Sequence, residues 1–173
     1  MQAVVFPVNE FYLERLQNIA RETFYQTFIH ETTEQNMQAY LDEAFGLDSL
    51  QKQVISPNVR LFLISVGEED AGYIKLNIGE AQTELQDQEG IEIERFYVRK
   101  QFHGIGVAKQ LMGQAIETGI SLNKAYIWLG VAETNIKAVR FYKKFGFQVF
   151  GEHGFVLGGE NQIDLMMRRP LAK

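Results

Sequence analysis

Residues 91–116 read IEIERFYVRKQFHGIGVAKQLMGQAI, and the rest of the chain is organised around them. The first part, 91–98, is rich in β-branched and aromatic residues and predicts a strand. The last part, from Val107 onwards, has apolar residues at the spacing of an amphipathic helix. Two glycines, Gly104 and Gly106, lie where the strand gives way to the helix.

The glycines at this junction predict an anion site. Glycine lets the backbone approach a ligand closely, and the first turn of a helix adds unpaired N–H donors and the positive end of the helix dipole. The loop lacks the G-K-[ST] of a Walker sequence and the third glycine of a dinucleotide-binding fingerprint. A phosphate or pyrophosphate is the anion that this arrangement favours.

Length and composition narrow the class of protein. A chain of 173 residues with 46% hydrophobic residues predicts one globular domain over residues 1–173. The net charge of −5 argues against a nucleic-acid partner, for which a basic patch is expected. There is no cysteine, and the three histidines are dispersed, so no metal site is predicted. The start lacks a signal sequence, and no apolar run approaches the roughly 20 residues of a membrane span. We therefore expect a cytoplasmic protein without a membrane segment.

Periodicity along the whole chain predicts a strand, two or three helices, three strands, a helix, a strand, a helix and two strands. This order is typical of a mixed α/β domain whose sheet contains both hairpins and crossovers. Asn9 is expected to cap the first helix. The apolar face predicted for that helix comprises Phe11, Leu13, Leu16, Ile19, Ala20 and Phe24.

A second motif, at residues 135–147, reads NIKAVRFYKKFGF and predicts a compact helix that Gly146 terminates. This motif resembles the signature N-x-x-A-x-x-F-Y-x-K-x-G-F of the GCN5-related N-acetyltransferase (GNAT) superfamily. The loop QFHGIG at 101–106 is similar to the [RQ]-x-x-G-x-[GA] loop of the same superfamily. Three further stretches, 24–45, 94–98 and 127–131, resemble bacterial spermine/spermidine acetyltransferases of the PaiA type.

The resemblance implies the acyl-CoA N-acyltransferase fold, a mixed and mainly antiparallel twisted sheet with flanking helices. Its central strands, 91–98 and 125–131, are expected to splay into a V. The implied activity is direct transfer of an acetyl group from acetyl-CoA to a primary amine in a ternary complex. The expected acceptor is small and cationic, with spermidine and spermine as candidates. The resemblance also suggests a homodimer.

The resemblance assigns main-chain groups of 96–98 to the pantetheine arm and thioester, and main-chain N–H groups of 101–108 to the pyrophosphate. The side chain of His103 is expected to be exposed and not to act as a base. Asn135 is either a plain helix cap or also a ligand of pantetheine, and Lys144 contacts either the 3′-phosphate or solvent. The residues implied for acetyl-CoA are Phe96, Tyr97, Val98, Gln101, Phe102, His103, Gly104, Ile105, Gly106, Val107, Ala108, Asn135, Tyr142 and Lys144.

The implied acetylation of an amine requires a base and an acid. An alkylammonium has a pKa near about 10 and must lose a proton before it can attack. Strand alternation puts Glu92 and Glu94 on one face, and the resemblance assigns the base to Glu94 and the acid that protonates the thiolate to Tyr142. Glu92 or water could serve as the base instead of Glu94. The structural alternatives are a plain acidic strand face and a core tyrosine with a bonded hydroxyl.

The acceptor side is implied to comprise Glu92, Glu94, Trp128, Phe28 and Tyr40. Trp128 could instead be a core residue, and Phe28 and Tyr40 could be helix-packing aromatics. Two other functions remain open from the sequence. One is acetylation of a protein N-terminus or lysine, as in ribosomal-protein acetyltransferases, and the other is a non-catalytic acyl-CoA-binding regulator.

Overall fold

The computed structural model describes residues 2–157 and 160–172. The described helices are α1 (Leu13–Phe28), α2 (Glu34–Ala44), α3 (Leu47–Ile55), α4 (Val107–Ser121) and α5 (Ile136–Lys144). The strands are β1 (Ala3–Pro7), β2 (Val59–Val66), β3 (Glu69–Ile78), β4 (Gly90–Val98), β5 (Tyr126–Ala132), β6 (Gln148–Leu157) and β7 (Glu160–Pro170). Short 3-10 turns cover Glu10–Tyr12, Ile29–Glu31, Gly79–Ala81 and Lys100–Phe102. The predicted order of elements is confirmed.

The strands are hydrogen-bonded in the order β1-β2-β3-β4-β5-β7-β6. β1 pairs with β2, β5 with β7 and β6 with β7 in antiparallel fashion, whereas β4 and β5 are parallel. A parallel pair needs a crossover, and α4 lies in the connection between β4 and β5. The predicted fold class, a mixed and mainly antiparallel sheet with flanking helices, is confirmed.

The ladder between β4 and β5 is short. It pairs Gly90–Ile93 with Tyr126–Leu129, whereas β4 runs on to Val98 and β5 to Ala132. The expected V-shaped splay of these strands stays a prediction.

Two compact units can be distinguished, one of residues 1–76 and 95–115 and the other of residues 77–94 and 116–173. Both β3 and β4 contribute residues to each unit. The single domain predicted for residues 1–173 stays a prediction.

In the first unit, α1 buries a single stripe formed by Leu16, Ile19, Ala20 and Thr23. These positions are spaced i, i+3, i+4 and i+7, as expected for a helix with one buried face. The hydroxyl of Thr23 donates to the carbonyl of Ile19 at 2.7 Å, so the buried polar atom is satisfied within the helix.

The start of α1 differs from the sequence prediction at one residue. Asn9 caps the segment as expected, because its side chain accepts from the N–H of Phe11 at 3.0 Å. The capped segment is a 3-10 turn, however, and α1 begins only at Leu13. Phe11 therefore lies outside the 3.6-residue register of the buried stripe, and it is 93% exposed. Its assignment to the apolar face was wrong.

In the second unit, the C-terminal half of α4 approaches its neighbours closely at Gly119. A Cβ atom at this position would lie 2.5 Å from Cδ1 of Leu171 and 3.2 Å from Cγ2 of Ile91. The N–H of Leu171 donates to the carbonyl of Ala125 at 2.9 Å, which fixes the chain beyond β7. A side chain larger than hydrogen at Gly119 would push these groups apart.

Candidate active site

The glycine loop joins β4 to α4. Gly104 and Gly106 have φ angles of +80° and +89°, a region that residues with a Cβ rarely adopt. A Cβ at either position would meet no atom within 4 Å, so backbone conformation and not space requires glycine here. The first helical hydrogen bond runs from Gln110 N to Gly106 O at 3.1 Å. The N–H groups of the first turn of α4 therefore point out of the helix at this loop.

The structure narrows the set of main-chain donors predicted for 101–108. The N–H of Phe102 donates to Arg99 O at 2.9 Å, and that of His103 donates to Lys100 O at 3.1 Å. Both donors are thus engaged in the 3-10 turn, so this conformation does not support their assignment to the pyrophosphate, which stays a prediction. The N–H groups of Gln101 and of residues 104–108 keep their predicted assignment.

The side chain of His103 contacts the end of β4. Its ring is exposed, as predicted, and Nε2 lies 2.8 Å from the carbonyl oxygen of Val98. Because a carbonyl only accepts, Nε2 carries the proton and donates. The imidazole thereby ties the glycine loop to the last residue of β4, a contact that the sequence did not reveal.

The end of β4 itself is half-buried at Phe96, Tyr97 and Val98. The ring of Tyr97 stacks on that of Tyr73 of β3, with centroids 5.8 Å apart. This packing supports β4 next to the loop. The predicted role of its main-chain groups towards a thioester is not tested by these contacts.

The aromatic residues predicted for the acceptor side belong to one cluster in the first unit. Phe24 contacts Phe28 and stacks on Tyr40, with centroids 4.5 Å apart in both pairs. The guanidinium carbon of Arg95 lies 4.4 Å from the centroid of Phe45, and an Arg95 nitrogen lies 3.5 Å from the Tyr40 hydroxyl. Tyr40 is 41% exposed. The cluster thus includes a cation, Arg95, that was not among the predicted site residues.

Glu92 and Glu94 do share one face of β4. Both accept from the same amide nitrogen of Asn77 on β3, Glu92 at 3.1 Å and Glu94 at 2.9 Å. Glu92 also accepts from the N–H and the hydroxyl of Thr83. Glu92 is buried, with 4% exposure, whereas Glu94 is half-buried. Sequence patterns did not identify Asn77 or Thr83, because their contacts cross from a neighbouring strand and loop.

Burial raises the pKa of the Glu92 carboxyl, because desolvation disfavours its charged form. The hydrogen bonds from Thr83 and Asn77 act in the opposite direction, and the charge of Glu94 adds to the rise. Glu92 is therefore a buried carboxyl that is held by several donors. The half-buried Glu94 is the member of the pair that keeps access to solvent.

Trp128 is a core residue. It is 2% exposed, and its indole N–H donates to Oε1 of Gln82 at 2.8 Å. Gln82 is itself buried and donates to the carbonyl of Asp87 at 2.8 Å. Because both its ring and its polar atom are already engaged, this placement does not support the assignment of Trp128 to the acceptor wall.

On α5, the side chain of Asn135 accepts from the N–H of Ala138 at 3.2 Å and caps the helix as predicted. Tyr142 is half-buried, and its ring makes edge contacts with Phe141 and Phe147. A cavity of about 520 Å³ lies along this helix. Its lining comprises Ile136, Lys137, Arg140, Phe141 and Lys144. Three cations line it, and two of them, Lys137 and Arg140, were not predicted.

The two possible roles of Asn135 can be separated by substitution. Asn135→Ala should lower the free energy of unfolding by about 0.5–2 kcal/mol, because the cap is lost. Asn135→Asp should leave stability nearly unchanged, because Asp is an equally good cap, but it removes the amide N–H donors. We expect Asn135→Asp to weaken acetyl-CoA binding in calorimetry. Unchanged affinity with unchanged stability would reduce Asn135 to a plain cap.

Within 2–157 and 160–172, His, Asp and Glu side chains form no group of three or more that is suited to hold a metal ion. None of the helices in this part of the chain has the length and apolar character of a membrane span. The cytoplasmic location, the homodimer and the lack of a nucleic-acid partner stay predictions.

Comparison with known proteins identifies the family. The sequence model of the "Acetyltransferase (GNAT) family" matches residues 13–147. An uncharacterized N-acetyltransferase of Lactobacillus delbrueckii subsp. lactis is 38% identical over 167 residues, which is 96% of each chain. The spermine/spermidine N(1)-acetyltransferase of Bacillus subtilis (strain 168) is 36% identical over 64 residues, which is 36% of this chain and 42% of that protein.

A solved structure shares the fold. The PaiA N-acetyltransferase from Thermoplasma acidophilum, solved in complex with coenzyme A, superposes with a TM-score of 0.79. The two sequences are 19% identical, and the match covers 98% of this chain and 99% of that one. The family match over residues 13–147 and the relative that is 38% identical over nearly the whole chain both identify the family. The chain belongs to the GNAT acetyltransferase family.

Proposed function

We propose that this acetyltransferase moves the acetyl group of acetyl-CoA to a primary amine of a small polyamine, with spermidine and spermine as the leading acceptors. The observation that carries the proposal is the pair of carboxylates on β4, Glu92 and Glu94, of which Glu94 is half-buried. Carboxylates attract a cationic amine and can accept its proton. The partial likeness to the Bacillus subtilis spermine/spermidine enzyme supports the same acceptor class.

Two features of the chain suit the anionic end of acetyl-CoA. The loop with Gly104 and Gly106 leaves the first-turn N–H groups of α4 free of helical partners, and such groups bind phosphates. The cavity on α5 carries Lys137, Arg140 and Lys144, which favour a phosphate electrostatically. We assign the pyrophosphate to main-chain donors of Gln101 and of residues 104–108, and the 3′-phosphate to the cationic cavity.

The chemical step requires a base, a polarised carbonyl and an acid. Glu94 takes the proton of the bound ammonium, directly or through water, and the freed amine attacks the thioester carbonyl. A main-chain N–H of β4 near Phe96 or Val98 stabilises the oxyanion that develops on that carbonyl. The C–S bond then breaks, and the Tyr142 hydroxyl gives its proton to the departing thiolate. The attacking nitrogen loses its second proton, which returns through water to the Tyr142 phenolate. The proton accepted at Glu94 passes to solvent, which restores the site.

A panel of acceptors tests the proposal. We expect spermidine and spermine to give kcat/KM values at least about 10-fold above those of aminoglycosides, amino acids and N-terminal peptides, since about 1.4 kcal/mol of differential binding suffices for this ratio. CoA release can be followed with a thiol reagent, and because the chain has no cysteine the protein adds no background signal. Calorimetric titration with acetyl-CoA alone measures binding independently of turnover.

The other outcomes are equally informative. Preference for a peptide would identify a protein N-terminal or lysine acetyltransferase and overturn the polyamine assignment. Tight acetyl-CoA binding without turnover of any acceptor would identify a non-catalytic acyl-CoA-binding regulator.

A further inference from the structure

We propose that Asn77 is a positioning residue for the acetyl transfer, holding Glu94 in place through an amide group that it shares with Glu92. The inference rests on the proposed function, because Glu94 is the base in that reaction. Asn77 lies near the end of β3, and its side chain is completely buried. Nothing in the sequence motifs or in the family signatures points to this residue.

The orientation of the Asn77 amide follows from its hydrogen bonds. A primary amide carries two N–H donors, and here the nitrogen lies 3.1 Å from Oε2 of Glu92 and 2.9 Å from Oε2 of Glu94. The amide oxygen is buried and accepts no hydrogen bond from any described residue. Rotation of the amide by 180° would turn this oxygen towards two carboxylates. The two glutamates therefore determine the orientation of the Asn77 amide. In this orientation its carbonyl oxygen receives no hydrogen bond from the described residues.

Glu92 anchors the amide that it shares with Glu94. Glu92 is buried and accepts from the N–H and hydroxyl of Thr83 as well as from Asn77. These hydrogen bonds fix the carboxylate of Glu92, and Glu92 in turn fixes the side-chain amide of Asn77. The remaining N–H of Asn77 then fixes the carboxylate of Glu94, which is half-buried and accessible to an acceptor.

This geometry has two opposite effects on the basicity of Glu94. A hydrogen bond donated to a carboxylate favours its charged form, and Asn77 donates one to Glu94. The neighbouring carboxyl of Glu92, when charged, disfavours a second negative charge. Glu92 is the ionisable group that shares the Asn77 amide with Glu94, and Thr83 adds donors without charge. Asn77 thus lies between the two carboxyl groups and donates a hydrogen bond to each of them.

The main test is Asn77→Leu, which keeps the approximate size of the side chain and removes both donors. With spermidine at saturation, we expect kcat to fall by roughly 10–100-fold, and the acid limb of the kcat–pH profile to move up by about one pH unit, because the charged base has lost a hydrogen bond. KM for acetyl-CoA should stay unchanged. Asn77→Ser, which keeps a single O–H donor in a smaller side chain, should have an intermediate effect if the Leu variant does not fold.

Two controls separate positioning from general destabilisation. Thr23→Val removes another buried polar group, in α1, and should leave the kcat–pH profile unchanged. In a Glu94→Gln background, Asn77→Leu should cause no further loss of kcat, because the residue it positions is already gone. An equal loss in both backgrounds, or a folded Asn77→Leu enzyme with an unmoved acid limb, would overturn the proposal.

A measurement that does not depend on turnover keeps this inference distinct from the proposed function. The side-chain carboxyl of Glu94 can be titrated by ¹³C NMR in the wild-type protein and in Asn77→Leu without any acceptor. A midpoint that rises in the variant supports the link between Asn77 and Glu94, even if no polyamine is acetylated. An identical midpoint in both proteins contradicts the link, whatever the acceptor panel shows.

Discussion

Replacing Tyr142 by Phe should lower kcat by roughly 10–10³-fold, the range expected for the loss of a general acid. The substitution removes only the hydroxyl, so the edge contacts of the ring with Phe141 and Phe147 can persist. A CoA thiolate that leaves without a proton donor must depart as an anion, and the barrier for its departure rises. KM for acetyl-CoA should change little, because the hydroxyl acts mainly in the transition state.

The matched control is Tyr126→Phe. The Tyr126 hydroxyl donates to Asp87 at 2.7 Å, and desolvation together with this bond raises the pKa of Tyr126 to about 12. Removing the Tyr126 hydroxyl should lower the free energy of unfolding by at most about 3 kcal/mol, the upper value for a hydrogen bond to a charged group. The kcat value should stay unchanged. Steady-state kinetics and thermal unfolding of both variants make the comparison. Turnover that survives intact in Tyr142→Phe would remove Tyr142 from the mechanism.

Gly106→Ala should weaken acetyl-CoA binding by roughly 10-fold or more. At a φ of +89° a Cβ is strained, so the loop must rearrange, and each main-chain hydrogen bond to a charged phosphate that is lost costs about 1.5–3 kcal/mol. The carbonyl of Gly106 also accepts the first helical bond of α4, from Gln110, so the rearrangement reaches the start of the helix. Calorimetric titration with acetyl-CoA measures the loss.

Gly113 provides the matched control within the same helix. It lies inside α4, and a Cβ there would meet no atom within 4 Å. Gly113→Ala should therefore raise the free energy of unfolding by about 0.5–1 kcal/mol, through the higher helix propensity of Ala, and leave acetyl-CoA affinity unchanged. If Gly106→Ala bound acetyl-CoA as tightly as Gly113→Ala does, the glycine loop would not be the phosphate site.

Much of the fold was predictable because it depends on local rules. Helical periodicity and strand alternation identified the elements in order, and the glycine pair marked the junction between β4 and α4. The error at Phe11 shows the limit of such rules. A 3-10 turn before α1 shifts the register, and a list of apolar positions does not reveal where the α-helical register begins.

The candidate site was only partly predictable. Alternation correctly put Glu92 and Glu94 on one face, and the motif at 135–147 correctly identified Asn135 as a cap. Two expected main-chain donors, those of Phe102 and His103, turned out to be used within the loop. Trp128 was assigned to the acceptor wall, but Gln82 satisfies its indole in the core. Each of these differences comes from a hydrogen-bond partner that the motif itself does not contain.

The sequence by itself determined the family signatures, the order of helices and strands, and the need for glycine before α4, because all three depend on residues close together in the chain. Only the tertiary structure decided how the carboxylates are held. Asn77 reaches Glu92 and Glu94 across 15 and 17 residues of sequence, because β3 and β4 are neighbours in the sheet. The register between two strands depends on which face of each strand is buried. For that reason neither motif contains Asn77, the fully buried residue that we propose to position the base Glu94.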